Sequence, residues 1–207
     1  MTAKDRRRQE LSLKEQFEVV IVLNEGAKAV LDRAFHVNLR AMDALVRSRR
    51  DGSALRGFAE VSSQMRHWSR DLYGELERLS LLTRDTVEGV SRLAKHGRRV
   101  RILQEALAQS SGAYGVEKAL SGLVQRRDAE QQALRNKWGK VQLALEDLNQ
   151  LALMACVLSR SAMIEASAGS RDQRARLGQV SREFSEDGEE VTRVIKMLLK
   201  HSHGGEQ

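Results

Sequence analysis

Apolar residues recur through the first fifty positions at alternating steps of three and four, which is the spacing of a heptad seam. Polar residues fill the slots between the seam residues, which are Phe17, Ile21, Leu31, Phe35, Met42 and Leu45. A second stripe repeats every seven residues beside this seam and consists of Val20, Ala27, Ala34 and Ala41. Together the two stripes form a wide apolar band, which predicts a helix from about Lys14 that contacts more than one neighbour, as in a four-helix bundle.

Three further helical stripes follow, separated by breaks at residues 50–57, 110–115 and 166–172. The chain is therefore predicted to be all-α, with long antiparallel hairpins forming an elongated four-helix coiled-coil bundle. The predicted segments are a basic N-terminal tail at 1–12, a first hairpin at 13–109, a linker at 110–115, a second hairpin at 116–200, and a tail at 201–207.

Composition supports this fold class. The 207 residues include no proline, which would break helix interiors. Charged residues make up 30% of the chain and aromatic residues only 4%, as suits long amphipathic helices better than a thick globular core. No stretch alternates β-branched or aromatic residues with polar ones over six positions, so no strand is predicted.

The net charge of +7 raises the question of an anionic partner. Basic runs at residues 6–8 and 95–101 could bind phosphates, but no interleaved aromatics or reader motif accompany them. Solvated helix faces are the preferred interpretation, because acidic residues are interleaved with the basic ones. A basic helical bundle that binds nucleic acid or an anionic membrane surface remains the alternative function.

Nothing in the sequence predicts catalysis. The single cysteine, Cys156, lies in the apolar run 151–158 and is expected to be a buried structural thiol. No catalytic triad order, phosphate-binding glycine loop, paired carboxylates or metal-ligand spacing stands out, so we expect no enzyme, cofactor, metal or small-molecule substrate. That apolar run is also much shorter than the ~20 residues that span a bilayer, and no signal-peptide pattern opens the chain. A cytoplasmic location is expected.

The residues around the first turn resemble a known family. The family-typical positions are Phe35, Asn38, Ala41, Ala44, Val46, Arg50, Gly52, Arg56, Gly57, Phe58, Ala59, Val61 and Arg66. Over about residues 30–70 and without a gap, they resemble the cytoplasmic signalling hairpin of methyl-accepting chemotaxis proteins. The resemblance implies a hairpin tip that binds a histidine kinase and its coupling protein and packs receptor dimers into trimers.

By this resemblance we expect a soluble chemoreceptor-like adaptor that docks onto a chemotaxis kinase, coupling protein or receptors. The implied partner-binding tip comprises Phe35, Asn38, Leu39, Arg40, Met42, Asp43, Arg47, Arg50, Arg56, Phe58, Val61 and Arg66.

Three residues depart from the family pattern: Arg40 replaces a leucine, Arg47 a glutamate and Ser53 a glutamate. An arginine at a packed trimer contact would be desolvated unless a carboxylate met it. We therefore expect assembly with an acidic partner, or no trimer, over ordinary homotypic trimers. A chemoreceptor-derived scaffold that has lost kinase contact is a third interpretation.

The second hairpin contains a fainter copy of the first. Residues 162–167 and 180–184 parallel 44–47 and 61–65, provided that one residue is inserted between them. This pattern predicts an internal duplication. A single chain could then form, as a monomer, the four-helix bundle that two receptor hairpins form as a dimer; a homodimer is the other expectation.

Overall fold

The protein is built from four long α-helices. The computed structural model describes residues 3–50, 56–109 and 114–204, and no β-strand occurs within these ranges. The helices are α1 (Ala3–Arg50), α2 (Arg56–Gln109), α3 (Tyr114–Ser167) and α4 (Arg171–Gly204). The all-α prediction is confirmed.

The helices form a closed ring in which each packs against the two beside it, in the order α1, α2, α3, α4 and back to α1. Consecutive helices are antiparallel, so both hairpin turns that follow α1 and α3 lie at one end of the bundle, here called the tip end. At 1.5 Å per residue, the 54 residues of α2 and of α3 span about 80 Å, whereas the 34 residues of α4 span about 50 Å. The predicted elongated four-helix bundle is confirmed.

Helix boundaries extend beyond the predicted hairpins at both chain ends. Helix α1 begins at Ala3, within the segment predicted as an N-terminal tail, and α4 continues to Gly204, past the predicted hairpin end at Lys200. Residues 51–55 and 110–113 lie outside the described residues, and with them Gly52, Ser53 and most of the predicted linker.

The buried face of α1 differs from the predicted seam. Its core positions follow a regular heptad and are Val20, Leu23, Ala27, Val30, Ala34, Val37, Ala41 and Ala44. The stripe predicted as secondary is therefore the core, whereas Ile21, Phe35 and Met42 of the predicted seam are exposed. The small alanines explain this outcome, because they let the backbone of α1 approach its neighbours closely enough for the valines to pack.

The other helices bury most of the stripes that the sequence predicts. In α2 the core includes Phe58, Met65, Trp68, Leu72, Leu76 and Leu79, and in α4 it includes Leu177, Phe184, Val191, Ile195 and Leu198. Helix α3 contributes Leu134, Trp138, Val141, Leu145 and Leu148, but its predicted apolar residues Met163 and Ile164 are exposed. Cys156 is half-buried, with Sγ 3.9 Å from the Thr192 hydroxyl, rather than fully buried as predicted.

The turn between α3 and α4 has a defined cap. The Ser170 backbone N–H donates to Gln173 Oε1 at 2.9 Å, and the Gln173 N–H reaches back to Ser170 Oγ at 3.5 Å. This reciprocal pair is a capping box, which satisfies backbone donors that the first turn of a helix leaves without partners. The cap fixes the start of α4 beside the end of α3.

Core positions repeat between the two hairpins at a constant shift. Buried positions of α1 recur in α3 after 118 residues, as Val20 and Trp138 or Ala44 and Ala162 illustrate. Those of α2 recur in α4 after 119 residues, as for Phe58 and Leu177. Equivalent positions in the two hairpins therefore lie at matching heights in the bundle. The internal duplication stays a prediction, and this shared register is consistent with it.

Candidate functional site

Four apolar side chains form an exposed stripe on α1 near the tip end. They occupy positions i, i+4, i+7 and i+11 of one helical face, here called the α1 face, and are Phe35, Leu39, Met42 and Val46. Between 44% and 57% of each side chain is exposed. A contiguous apolar stripe on a surface otherwise rich in charge is typical of a protein-binding surface.

Charged pairs border the α1 face. The Arg47 guanidinium lies 2.8 Å from the Asp43 carboxylate one helical turn away, and His36 Nε2 lies 3.7 Å from the Asp32 carboxylate. The His36 ring also meets the ring of Phe35 edge-on, with 6.0 Å between centroids. An apolar centre with a polar rim is the composition that transient protein interfaces have.

Arg40, a predicted tip residue, turns away from the α1 face toward α4. Its Nε lies 3.1 Å from the Glu183 carboxylate, and its Nη1 donates to Asp187. Arg33 Nη1 approaches the other carboxylate oxygen of Asp187 at 3.3 Å, and the Asp187 side chain is only 4% exposed. These four residues are here called the charge seam. The carboxylates that Arg40 needs are thus supplied by the chain itself, so Arg40 places no unpaired charge on the α1 face.

Two other predicted tip residues belong to the core. Phe58 is fully buried and Val61 nearly so, both within the hydrophobic cluster between the helices. In this packing they hold α2 in the bundle and are inaccessible to a partner. Their burial accounts for the apolar residues at these helical positions. Sequence alone could assign these residues equally to a core or to an interface.

The remaining predicted tip residues are accessible to different degrees. Arg56, at the start of α2, is exposed, whereas Asn38 and Arg66 are half-buried. Asn38 Oδ1 and Arg66 Nε are each buried without a hydrogen-bond partner. The side chain of Arg50 lies outside the described residues. The tip therefore offers a partner the α1 face, the Asp43–Arg47 pair and Arg56.

Sequence reasoning missed a second apolar surface, on α3. Its residues, here called the α3 face, are Leu153, Val157 and Ile164, which are 44%, 63% and 69% exposed. With the 118-residue shift they are the equivalents of Phe35, Leu39 and Val46. The signal was present in the sequence: the repeat that aligns 162–167 with 44–47 also aligns these two stripes. Because α1 and α3 are diagonal in the ring, the two faces point away from each other.

Surface ion pairs account for the shifted pKa values. Hydrogen bonds from Arg193 lower the pKa of Glu190, with smaller Coulombic contributions from Arg193 and Arg33. Hydrogen bonds to Glu75 and Asp147 raise the pKa of Arg78, which bridges α2 and α3. These exposed pairs tune no nucleophile or acid–base group.

The part of the chain that the structure describes contains no candidate metal site, and its surface has open grooves. Within it, no three His, Cys, Asp or Glu residues cluster in a metal-binding arrangement. Two open grooves are lined by described residues, one of about 600 Å³ beside Arg70 and Met154 and one of about 550 Å³ beside Val22 and His201.

Helix α3 also contains a stretch, within Glu117–Ser167, that is apolar and long enough to cross a bilayer by composition alone. About 39% of that stretch is buried, and Leu145 and Leu148 of the same helix lie in the core.

Comparison with known proteins leaves the site to be interpreted on its own geometry. No protein-family model matches the chain, and no curated protein sequence matches it either.

Proposed function

We propose that the protein is a soluble chemoreceptor-like adaptor that docks onto chemotaxis signalling proteins through the tip end of α1. The partners are the histidine kinase, its coupling protein or chemoreceptors, as the resemblance of residues 30–70 implies. The observation that carries the proposal is the exposed α1 face, since its four apolar side chains lie within the resembling segment.

The mechanism is helix docking. An apolar stripe at helical spacing fits a hydrophobic groove or another helix, with Phe35 and Met42 as anchors. The neighbouring Asp43–Arg47 pair lies at the rim, where charges affect specificity and association rate more than affinity. No bond is made or broken, so the adaptor acts by occupying a surface on its partner.

The bundle can present this face without a second chain. The four helices close a ring within one chain, with core positions of the two hairpins at matching heights. The protein is therefore proposed to be a monomer that mimics a receptor dimer. A monomeric mass in solution supports this proposal, whereas an obligate dimer contradicts it.

Co-sedimentation with the purified kinase and coupling protein tests the docking function. Leu39→Glu places a charge in the centre of the α1 face, and Arg56→Glu reverses the exposed charge at the start of α2. Tyr73→Glu, at an exposed position about one third of the way along α2, is the matched control. We expect the two tip variants to lose binding and the control to keep it. Absence of binding by the wild-type protein would favour a scaffold that has lost kinase contact.

A further inference from the structure

The outward side of α3 carries an apolar stripe that extends the α3 face away from the tip end. Leu143 is 58% exposed and Met154 is 52% exposed, on the same side of the helix as Leu153, Val157 and Ile164. Positions 143, 150, 157 and 164 repeat every seven residues, with 146, 153 and 160 between them, as in a coiled-coil seam. These positions and Met154 are here called the outer stripe, which is about 32 Å long.

The four-helix packing does not account for this apolar side of α3. The stretch of α3 that is apolar enough to cross a bilayer is only about 39% buried. Its inward side supplies Leu145, Leu148 and Ala155 to the core, and these residues are fully buried. The outer stripe lies on the other side of the helix, where no other part of the described chain covers it. A contiguous exposed apolar surface of this kind marks a contact with another molecule.

The outer stripe is more than a copy of the α1 face. After the shift of 118 residues, Leu143 corresponds to Glu25, whose side chain is 65% exposed and pairs with Lys28 at 2.8 Å. Arg160 in turn corresponds to Met42, one of the apolar residues of the α1 face. The outer stripe therefore continues further from the tip end than the α1 face does, and it carries charge where the α1 face is apolar.

Two charged residues of the outer stripe are placed symmetrically about its centre. Glu146 lies seven residues before Leu153 and Arg160 lies seven residues after it, so all three share one side of the helix. Both charged side chains are exposed, and neither forms an ion pair with a described residue. The adjacent Asp147 already pairs with Arg78 of α2, at 3.1 Å. The stripe thus has one negative and one positive charge at equal distances from Leu153.

We propose that the outer stripe binds the outer stripe of a second copy of this chain, antiparallel and with a twofold axis at Leu153. Glu146 of each copy then meets Arg160 of the other, so the charge pair forms twice across the interface. Leu143 of each copy lies at nearly the same height as Ile164 of the other. A parallel arrangement would oppose Glu146 to Glu146 and Arg160 to Arg160, so the charges select the antiparallel one. A surface that is its own partner about a twofold axis is the usual basis of a homodimer.

The dimer is an association of two folded monomers. Each copy keeps its own closed ring of four helices, so the dimer is not an obligate one. A stripe about 32 Å long and about 10 Å wide covers about 300 Å² on each copy. Stable interfaces bury about 1,200–2,000 Å² in total, so this contact should form and dissociate readily. Because α1 lies diagonally across the ring from α3, both α1 faces stay accessible in the dimer.

The composition of the outer stripe favours a second copy over a bilayer surface. Helices that lie in the bilayer interface are rich in Lys and Arg beside their apolar face. Here Glu146 interrupts the stripe and Asp147 flanks it, and an anionic headgroup layer would repel both carboxylates. The same Glu146 carboxylate is attracted to Arg160 of a second copy.

Sedimentation velocity over protein concentrations from about 1 to about 300 μM tests the proposal. We expect the wild-type protein to change reversibly from monomer to dimer as concentration rises. Val157→Glu should weaken the association at least about tenfold, because it places a carboxylate in an apolar contact. Leu39→Glu, at the equivalent and also exposed position of α1, is the matched control and should leave the association unchanged.

Exchange of the two charges tests the antiparallel register. Glu146→Arg alone and Arg160→Glu alone each replace two attractions across the axis with two repulsions, so each should weaken association about tenfold or more. An equimolar mixture of these two variants should form a heterodimer of near wild-type affinity, because each then meets the opposite charge. A variant that merely failed to fold could not recover on mixing.

Three results would overturn the proposal. They are a wild-type protein that stays monomeric at every concentration, equal weakening by Val157→Glu and Leu39→Glu, and a mixture of the charge variants that does not associate. Flotation of monomers with anionic vesicles that Val157→Glu abolishes would assign the stripe to a membrane instead. The argument does not rest on the docking function: Leu39→Glu should lose kinase binding and keep the dimer, so the two failures are distinguishable.

Discussion

Two opposite seams of the bundle, at the same height, are built from different chemistry. Between α2 and α3, the Trp68 indole N–H donates to the Leu151 carbonyl at 2.7 Å within an apolar contact. Between α1 and α4, the equivalent positions, after the shifts of 118 and 119 residues, are occupied by Asp187 and Arg33. The α2–α3 contact through Trp68 and Leu151, here called the tryptophan seam, thus uses a buried aromatic side chain where the α1–α4 contact uses the charge seam.

The two chemistries contribute differently to the fold. A buried tryptophan removes about 150–250 Å² of surface from water and adds a hydrogen bond, so the tryptophan seam should stabilise the bundle strongly. A buried ion pair gains Coulomb energy but loses hydration, so the charge seam should contribute less net stability. The charge seam has a stronger effect on which helix faces can pack together, because a buried Asp187 carboxylate without an arginine partner would be costly in free energy. The charge seam also keeps Arg40 off the α1 face.

The largest predicted effect is the loss of the tryptophan seam. Trp68→Ala should lower the free energy of unfolding by about 3–5 kcal/mol, because it removes packed volume and leaves a cavity. Trp68→Phe keeps most of the volume and should cost about 1–2 kcal/mol. Urea unfolding measures both, with Tyr73→Ala, at an exposed site on the same helix, expected within about 0.5 kcal/mol of wild type. Equal costs at positions 68 and 73 would contradict this account of the seam.

A smaller effect is predicted for the charge seam. Asp187→Leu should cost about 1–3 kcal/mol, less than for a fully buried pair because Arg33 and Arg40 are partly exposed. Adding Arg33→Leu and Arg40→Leu should recover much of that loss, since the triple variant imitates the apolar seam on the opposite side. If the triple variant is as unstable as the sum of its single changes, the ion pairs contribute net stability and the comparison fails.

The smallest effect concerns the exposed pair beside the charge seam. Because hydrogen bonds from Arg193 lower the pKa of Glu190, the pair contributes stability above the ordinary glutamate value of 4.5 and loses it as pH falls through the lowered pKa. Arg193→Gln should raise that pKa, and Arg33→Leu should raise it less. Carboxyl NMR titration checks both shifts; a Glu190 pKa unchanged in Arg193→Gln would refute the assignment.

The sequence predicts the overall fold better than it predicts which face of α1 is buried. Helix periodicity and the absence of proline were enough to predict four antiparallel helices, and the single apolar stripe of α2 identified its core. Helix α1 carries two apolar stripes one residue apart, at 20, 27, 34 and 41 and at 21, 35 and 42. Bulk favours the second stripe, but close helix approach selects the first, and only the neighbouring helices decide between them.

The candidate site could be predicted only in part. The segment was identified by resemblance, yet whether Phe35 or Phe58 faces solvent depends on the rotation of each helix in the bundle. The partners of Arg40 lie about 145 residues away in sequence, so no local pattern connects them. The α3 face required treating the second hairpin as a copy of the first.

Site-specific crosslinking to the kinase and coupling protein tests the docking surface most directly. In a Cys156→Ser background, single cysteines at Leu39, Val157 and Tyr73 would carry the same photoactivatable label. All three positions are exposed, at 47%, 63% and 55%, so accessibility alone does not separate them. The account predicts strong crosslinks from position 39 and background levels from 73, with 157 reporting whether the α3 face binds as well. Crosslinking from 73 that equals or exceeds that from 39 would contradict docking through the α1 face.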